Sequence, residues 1–202
     1  TAIFIVFLFI FSEVLIAEND VKDELSSKSE VGYVIYEYSA LNEIYINSGN
    51  TNTNYLSVND ILIGENTTTN SESRGLYRFS NNLSNSVDSI TDAQLTLTCN
   101  VNSVTNAGSQ PVIYGATIIA NFAPAEVTWN EIADSINWQI PGINGNNDRS
   151  VWDVPSTSTV VTGTIMEYTL NVTKLAQTSL ELGRNKFDFV ISSVGGELSC
   201  YK

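Results

Sequence analysis

The chain has 202 residues, with 22 acidic and 9 basic side chains, no histidine and a net charge of −13. The lack of histidine excludes a histidine general base, a histidine metal ligand and Ser-His-Asp or Cys-His catalysis. No basic residue lies between Arg78 and Arg149, whereas a nucleic-acid binder needs clustered Lys and Arg to neutralise phosphates. The composition therefore predicts an acidic, Asn/Ser/Thr-rich extracellular protein that has no nucleic-acid partner.

The N-terminal segment is strongly apolar, although the mean hydropathy of the chain is +0.00. Residues 2–11 are all apolar, and the apolar run resumes at residues 14–17. As a helix this segment would be about 26 Å long, near the lower limit for crossing a membrane. Three interpretations stay open: a signal peptide cleaved after Ala17, a membrane anchor weakened by Glu13, and a pilin-type segment retained after removal of a leader.

The third interpretation follows from how the segment begins. The chain starts at Thr1 without Met and without a basic region, which favours a segment that is already processed; a gene fragment that lacks its first few codons is the alternative. It resembles archaeal type IV pilin and archaellin-like subunits more than bacterial pilins, because it has Ile5 and Thr1 where bacterial pilins have Glu and Phe. The resemblance implies a hydrophobic α-helix that packs against its own copies, with Glu13 paired to the Thr1 amino group of a neighbour because an unpaired buried carboxylate is unfavourable. The predicted assembly residues are Ile3, Phe4, Phe7, Leu8, Phe11 and Glu13.

A change of period near residue 30 predicts two domains. Residues 18–30 are polar, with Val21 and Leu25 at helical spacing, and would extend the helix or form a solvated stalk. From residue 31 onward, β-branched and aromatic residues favour strands. We therefore predict an N-terminal hydrophobic helix with its polar extension over residues 1–30 and a β-sandwich over residues 31–202.

Short alternating runs separated by Asn, Ser, Gly and Thr predict an antiparallel sandwich in the body of the chain. In residues 93–99, the side chains of Ala93, Leu95, Leu97 and Cys99 share one face of the predicted strand. We expect this face to be buried and the opposite face to be exposed to solvent. Residues 171–180 have helical spacing and predict one short helix. The predicted strands are residues 43–47, 55–58, 61–63, 74–79, 93–99, 112–119, 166–172 and 186–192.

Several motifs of the body resemble the DNRLRE-type, carbohydrate-binding-module-like β-sandwich family over about residues 42–193. The most specific are NTNTNY at residues 50–55, Arg78-Phe79, residues 93–97 and Thr128-Trp129-Asn130. The resemblance implies a secreted, jelly-roll-like sandwich of the kind found on cell-surface and polysaccharide-handling proteins. The chain departs from the family at its C-terminus, where the usual closing strand is missing, so either the strands present close the sheet or an open edge accepts another chain.

The cysteines and the sequons give two expectations for an exported chain. Cys99 and Cys200 are the only cysteines, and they predict a disulfide that closes a loop of about 100 residues. N-x-S/T sequons at Asn66, Asn82 and Asn171 are candidate glycosylation sites in a host that glycosylates its surface proteins.

Two further features are candidate binding sites. Trp138 and Trp152 are candidates for stacking on sugar rings, whereas Trp129 lies in the family motif and is interpreted as structural. Asn144, Asn146 and Asp148 place oxygen atoms at alternate positions, a pattern that Ca²⁺ accepts, although the loop lacks the terminal Glu of an EF-hand and such sequences are also common turns. A calcium ion is the only cofactor considered.

Paired carboxylates give no firm prediction of catalysis. Glu126, Glu131 and Asp134 cluster around Trp129, but nothing in the sequence fixes their separation. We therefore expect no catalytic residues and no enzymatic activity.

Two functions remain from the sequence. The first is a structural subunit of an extracellular filament, self-assembled through the hydrophobic helix, associated with a membrane only before assembly, and active in adhesion or surface interaction. The second is a secreted carbohydrate-binding module with a cleaved signal peptide, whose partner is a polysaccharide or another cell-surface ligand.

Overall fold

The computed structural model describes residues 7–12, 33–36, 40–81, 89–104, 111–152, 157–162 and 165–202. The described chain is almost entirely β, with one short helix, α1 (Thr173–Glu181). Its strands are β1 (Phe7–Ser12), β2 (Tyr33–Tyr36), β3 (Asn42–Asn47), β4 (Asp60–Asn66), β5 (Ser71–Ser80), β6 (Ile90–Val104), β7 (Val112–Thr117), β8 (Glu131–Ala133), β9 (Ile136–Asn137), β10 (Thr157–Thr162), β11 (Ile165–Asn171), β12 (Lys186–Val194) and β13 (Gly196–Tyr201).

The strands form two antiparallel layers that β4 joins into a nearly closed, barrel-like sheet. One layer has the order β10-β11-β6-β13-β4, and the other contains β3, β5, β12 and β7. The first half of β4 pairs with β13, and its second half pairs with β5 in the other layer. The mainly β, antiparallel fold class that the sequence predicts is thus confirmed.

The main core lies between the two layers and follows the alternation of the strands. In β6, Ala93, Leu95, Leu97 and Cys99 are all buried, and they form one cluster with inward side chains of β5 and β12 such as Phe79. Helix α1 closes one part of this core with Leu175 and Ala176. Burial of alternate residues on facing strands is the main source of stability in such a fold.

A second core lies on the outer face of the β3-β5-β12-β7 layer. Residues 118–152, here called the cap segment, lie over this face and contain the small hairpin of β8 and β9. Strand residues on this face, among them Ile44 and Val190, pack against cap residues such as Phe122 and Trp129. This layer is therefore covered on both faces, which is why β3 and β5 carry apolar residues at successive positions.

Gly64 lies where β4 passes from one layer to the other. Its φ is +99°, a conformation that L side chains rarely adopt. A Cβ atom at this position would collide with the side chain of Ser193 and with the carbonyl oxygen of Gly196. Residue 64 therefore has to be glycine for β4 to approach the Ser193 side chain of β12 and the backbone of Gly196 in β13 this closely.

The C-terminal strand is an interior strand of its layer. Strand β13 lies between β6 and β4 and pairs with both, whereas β10 and β7 are the two ends of the strand order. Whether another chain completes the sheet stays a prediction. The structure corrects other details of the predicted strands. Residues 55–58 form no strand and contain a turn, and β8, β9, β10 and β13 were not predicted.

The N-terminal hydrophobic segment is described only over Phe7–Ser12, and these residues form a strand. Strand β1 pairs antiparallel with β6 from Phe7 opposite Leu95 to Phe11 opposite Ile90, and also with β2. The predicted helix is therefore not confirmed, and its aromatic and β-branched residues are also suited to a strand. Ile3, Phe4 and Glu13 lie outside the described residues. Within the described part of the chain, no helix is long and apolar enough to span a membrane.

Candidate functional site

Arg74 connects β5 to the cap segment. Its Nε donates to Glu72 Oε1 at 2.7 Å, and its Nη1 donates to the carbonyl oxygen of Gly142 and to Asn144 Oδ1. The guanidinium also lies 5.2 Å from the ring centroid of Trp129. Because Arg74 is buried and donates to two residues of the cap segment, its primary role is to hold that segment on the sheet.

A half-buried aromatic group lies on the other side of Arg74. The ring centroid of Trp152 is 5.3 Å from the Arg74 guanidinium and 4.4 Å from that of Arg149. Tyr114 of β7 contacts the same ring edge to face, with centroids 4.9 Å apart. These three neighbours fix the orientation of the Trp152 ring, which therefore forms a rigid aromatic surface.

Two clefts lie next to this group. The polar cleft has a volume of about 540 Å³ and is lined by Ser48, Glu65, Asn70, Ser71, Glu72, Arg74, Tyr114, Ser193, Val194 and Gly195. The aromatic cleft has a volume of about 590 Å³ and is lined by Ile119, Asn146, Arg149, Ser150, Val151 and Trp152. Both volumes lie in the range of small-ligand sites, and the linings combine hydroxyl, amide and charged groups with aromatic rings.

The two carboxylates of the polar cleft belong to one hairpin. Glu65 of β4 and Glu72 of β5 are directly opposite each other. Glu72 is paired with Arg74, and it also accepts a weak hydrogen bond from Ser192 Oγ at 3.5 Å. The arrangement can therefore accept hydrogen bonds from hydroxyl groups of a ligand.

A buried ion pair lies deeper under the cap segment. Arg78 Nε and Nη2 donate to the two carboxylate oxygens of Asp188 at 2.6 and 2.8 Å. Nη2 also donates to the carbonyl oxygen of Phe122 at 3.1 Å, and the guanidinium lies 4.1 Å from the Phe122 ring centroid. The pair links β5 to β12 and fixes the start of the cap segment, so its role is structural.

The structure separates the three tryptophans. Trp138 is only 3% exposed, and its indole N–H donates to the carbonyl oxygen of Thr128 at 3.0 Å. The structure therefore corrects the prediction for Trp138, because its ring has no free face for a sugar. Trp129 is also buried in the core under the cap segment, as its structural interpretation requires. Trp152 alone among the three is half-buried and lines a cleft.

The oxygen atoms of the candidate calcium loop already have partners. The Asp148 carboxylate is buried and accepts hydrogen bonds from the backbone N–H groups of Gln139, Ile140 and Gly145 at 2.9–3.1 Å. Asn144 Oδ1 accepts from Arg74, whereas Asn146 is exposed and lines the aromatic cleft. Calcium binding stays a prediction, and it would have to displace these hydrogen bonds. Among the described residues, no group of three or more Asp, Glu or Cys side chains is placed to hold a metal ion.

Cys99 and Cys200 form the disulfide that the sequence predicted. The two residues are directly opposite each other on β6 and β13, with Cα atoms 3.9 Å apart. The bond ties the C-terminal strand to the centre of its layer. Since disulfides persist in oxidising compartments, it is consistent with an exported chain.

Two of the three sequons lie in the described part of the chain. The Asn66 side chain donates to Glu197 Oε2 and accepts from the backbone N–H groups of Thr68 and Thr69. Asn171 is exposed, and its Oδ1 accepts from the backbone N–H of Thr173 at the start of α1. Asn82 lies outside the described residues. Glycosylation of all three stays a prediction.

The acidic residues considered for catalysis lie in the cap segment, where one accepts a hydrogen bond from the backbone and another begins the hairpin. Glu126 Oε2 accepts from the backbone N–H of Asp134 at 3.0 Å, and Glu131 is the first residue of β8. Among the described carboxyls, a shifted pKa is found at Glu43 of β3, where burial raises the pKa to about 7 although Lys202 opposes the shift. Burial of Glu43 beside the C-terminus explains this shift without a catalytic role, because structural charges also have perturbed pKa values.

Comparison with known proteins does not assign the chain to a family. No protein-family model matches the chain, and a search of curated proteins finds no significant similarity to it. The resemblance to DNRLRE-type modules and to archaeal pilins therefore rests on the residues quoted above. The sequence also gave no signal for Arg149 and Tyr114, whose contribution follows only from their contacts with Trp152.

Proposed function

We propose that this chain is a structural subunit of an extracellular filament, in which the N-terminal hydrophobic segment joins the subunits and the β domain faces the medium. The observation that carries the proposal is the pairing of β1 with the edge of β6. Strand β11 pairs with the other edge of β6 over residues 94–100, which overlap the residues paired with β1 at one end and those paired with β13 at the other, so β1 and β13 lie along the same edge. A short apolar strand thus completes the sheet beyond the end of β13.

Pairing of this kind is suited to assembly. The stretch of β6 from Ile90 to Leu95 presents backbone donors and acceptors that any antiparallel strand can satisfy. If the β1 strand of one copy pairs with β6 of the next, the contact is heterologous and generates an open filament. The pilin resemblance implies a different contact, in which the same segment packs as a helix in the filament core. We keep this helix packing as the alternative to strand pairing.

The character of the β domain supports an extracellular location. It is acidic, is closed by the Cys99–Cys200 disulfide and carries candidate glycosylation sites at Asn66, Asn82 and Asn171. We also propose that its strands follow the jelly-roll-like connectivity of DNRLRE-type modules. Adhesion or another surface interaction is then the task of the outward domain.

Negative-stain electron microscopy of the full chain tests the proposal. We expect filaments from the wild-type chain and monomers from a variant in which Leu8 and Phe9 are replaced by Asp, because charged side chains oppose burial of the segment. A matched variant with two Asp substitutions at the exposed residues Ser57 and Asn59 should still form filaments. Monomers from the wild type under all conditions, or filaments from both variants, would contradict the proposal.

The second candidate function is that of a secreted carbohydrate-binding module, cleaved after Ala17. The observation that favours it is the position of Trp152, which lines the aromatic cleft while Tyr114 extends the aromatic group to the polar cleft. Affinity electrophoresis in gels that contain polysaccharide tests it. Retardation that is lost on Trp152→Ala would support the module, and free migration in every gel would contradict it.

A further inference from the structure

Among the residues that the structure describes, no carboxylate forms a salt bridge with Arg149. Its Nη1 donates to the carbonyl oxygen of the adjacent Ser150 at 2.8 Å. Its Nε is buried and has no hydrogen-bond partner among the described residues. Arg74 and Arg78 each form a salt bridge, but none joins Arg149 to a described carboxylate. A buried guanidinium N–H without a partner is unfavourable, and an anion in the cleft would offset this cost by pairing with the open end of the same guanidinium.

The positive charge at this position is local. Arg149 lies 4.4 Å from the Trp152 ring centroid, and Arg74 lies 5.3 Å from the same centroid. Burial and the neighbouring Arg74 lower the pKa of Arg149, while Tyr114 and Asp148 oppose the shift. Asp148 is adjacent in sequence, but its carboxylate is occupied by three backbone N–H groups. Arg149 and Arg74 together therefore place positive charge beside Trp152 in a chain whose net charge is −13.

The surroundings of Arg149 are suited to a sugar ring. The aromatic cleft has a volume of about 590 Å³. Trp152 offers an aromatic surface, and Val151 is 80% exposed, so an apolar ring face can lie against both. Asn146 and Ser150 also line the cleft and can exchange hydrogen bonds with hydroxyl groups.

We propose that the aromatic cleft binds an anionic sugar residue of a polysaccharide, with its carboxylate or sulfate on Arg149 and its ring against Trp152 and Val151. The planar guanidinium binds such groups through two parallel hydrogen bonds. The exposed apolar surface distinguishes this ligand from a small inorganic anion, which would leave Val151 and Trp152 without contacts. This inference rests on the second candidate function and is independent of filament assembly.

Binding assays with three soluble polysaccharides test the inference. Polygalacturonate carries carboxylates, dextran sulfate carries sulfate esters, and dextran is neutral. Titrated against the full chain, one or both acidic polymers should bind more tightly than dextran, and their affinity should fall with salt. Preference between the two acidic polymers identifies which anion the site takes.

Variants then assign the binding to Arg149. Arg149→Gln should weaken binding of the acidic polymer about tenfold or more, because it removes a charge-assisted hydrogen bond. Arg149→Lys keeps the charge but loses the planar guanidinium. Its affinity for the acidic polymer should therefore lie between those of the wild type and Arg149→Gln. Lys174→Gln removes the same charge from an exposed position of α1 and should change binding by less than about twofold. Asn146→Ala, at an exposed position, should weaken binding without affecting the fold.

The possible failures are distinguishable. Binding of dextran as tight as that of the acidic polymers, with no effect of Arg149→Gln, would overturn the inference and leave carbohydrate binding intact. Lack of binding to all three polymers by a folded chain would overturn the inference and count against the module as well. Neither result would affect the filament, which electron microscopy tests separately.

Discussion

The junction at Gly64 gives the sharpest prediction for the fold. We expect Gly64→Ala to destabilise the domain far more than Gly183→Ala, although both glycines have positive φ, +99° and +65°. At Gly183 a Cβ atom would meet nothing within 4 Å. The substitution there reports the backbone strain alone, which is about 1–2 kcal/mol.

At Gly64 two further effects add to that strain. The new Cβ atom would overlap the Ser193 side chain and the Gly196 carbonyl oxygen, and overpacking of this kind costs about 1–3 kcal/mol. If Ser193 moves away, its hydrogen bond to the carbonyl oxygen of Gly196 is also lost, at about 1 kcal/mol. The expected difference between the two variants is therefore about 2–4 kcal/mol.

Urea unfolding followed by tryptophan fluorescence measures this difference, since three Trp residues report on the fold. The double variant Gly64→Ala/Ser193→Ala removes the nearest side-chain atom and should recover part of the loss, while the clash with Gly196 remains. Free energies of unfolding for Gly64→Ala and Gly183→Ala that agree within about 0.5 kcal/mol would refute the close approach at the junction.

Three other predictions concern stability. Asp188→Asn should lower the free energy of unfolding by about 3–5 kcal/mol, because it leaves the buried Arg78 charge uncompensated; a loss below about 1 kcal/mol in urea titrations would contradict this role. The double variant Cys99→Ala/Cys200→Ala should lose about 4 kcal/mol, as expected for a loop closed across 101 positions, and a reductant should have the same effect on the wild type but none on the variant. Because burial raises the pKa of Glu43 to about 7 from 4.5, the neutral form contributes stability that is complete below pH 4.5 and is lost as the pH rises through 7. The free energy of unfolding should therefore fall less between about pH 5 and pH 8 for Glu43→Gln than for the wild type. An equal fall in both proteins would exclude the raised pKa of Glu43.

Regular alternation made the central strands predictable from sequence. The predicted segments 74–79, 93–99 and 186–192 lie within β5, β6 and β12, because their inward positions are uniformly apolar. The short helix was predicted at residues 171–180 and is observed as Thr173–Glu181. Local pattern was sufficient where one face of an element packs on the main core.

Long-range contacts explain what the sequence did not predict. Strand β13 contains the buried Glu197, whose carboxylate interacts with Asn66 and Ser73, residues more than 120 positions away in sequence. A charged residue in a strand obscures the apolar pattern unless its partners are known. The cap segment is similar, because its buried residues Phe122, Trp129 and Ile143 have no regular spacing and reveal their role only against the sheet.

The candidate site was predicted only in part. Trp152 was singled out from sequence as an aromatic residue, but so was Trp138, and only burial distinguishes them. Arg149 follows a Gly/Asn-rich loop that indicates a turn, and its contact with the Trp152 ring depends on how the cap segment folds back onto the sheet. Aromatic residues can be predicted as candidates from composition, whereas the cation beside them cannot.

The most direct test of the filament proposal is the mass of the chain in material taken from the native surface. Intact-mass and N-terminal analysis of this material should find residues 2–12 retained in an assembled, high-molecular-weight fraction. A monomeric chain that begins at Glu18 would contradict the proposal, because the segment that forms β1 would then be absent from the mature protein.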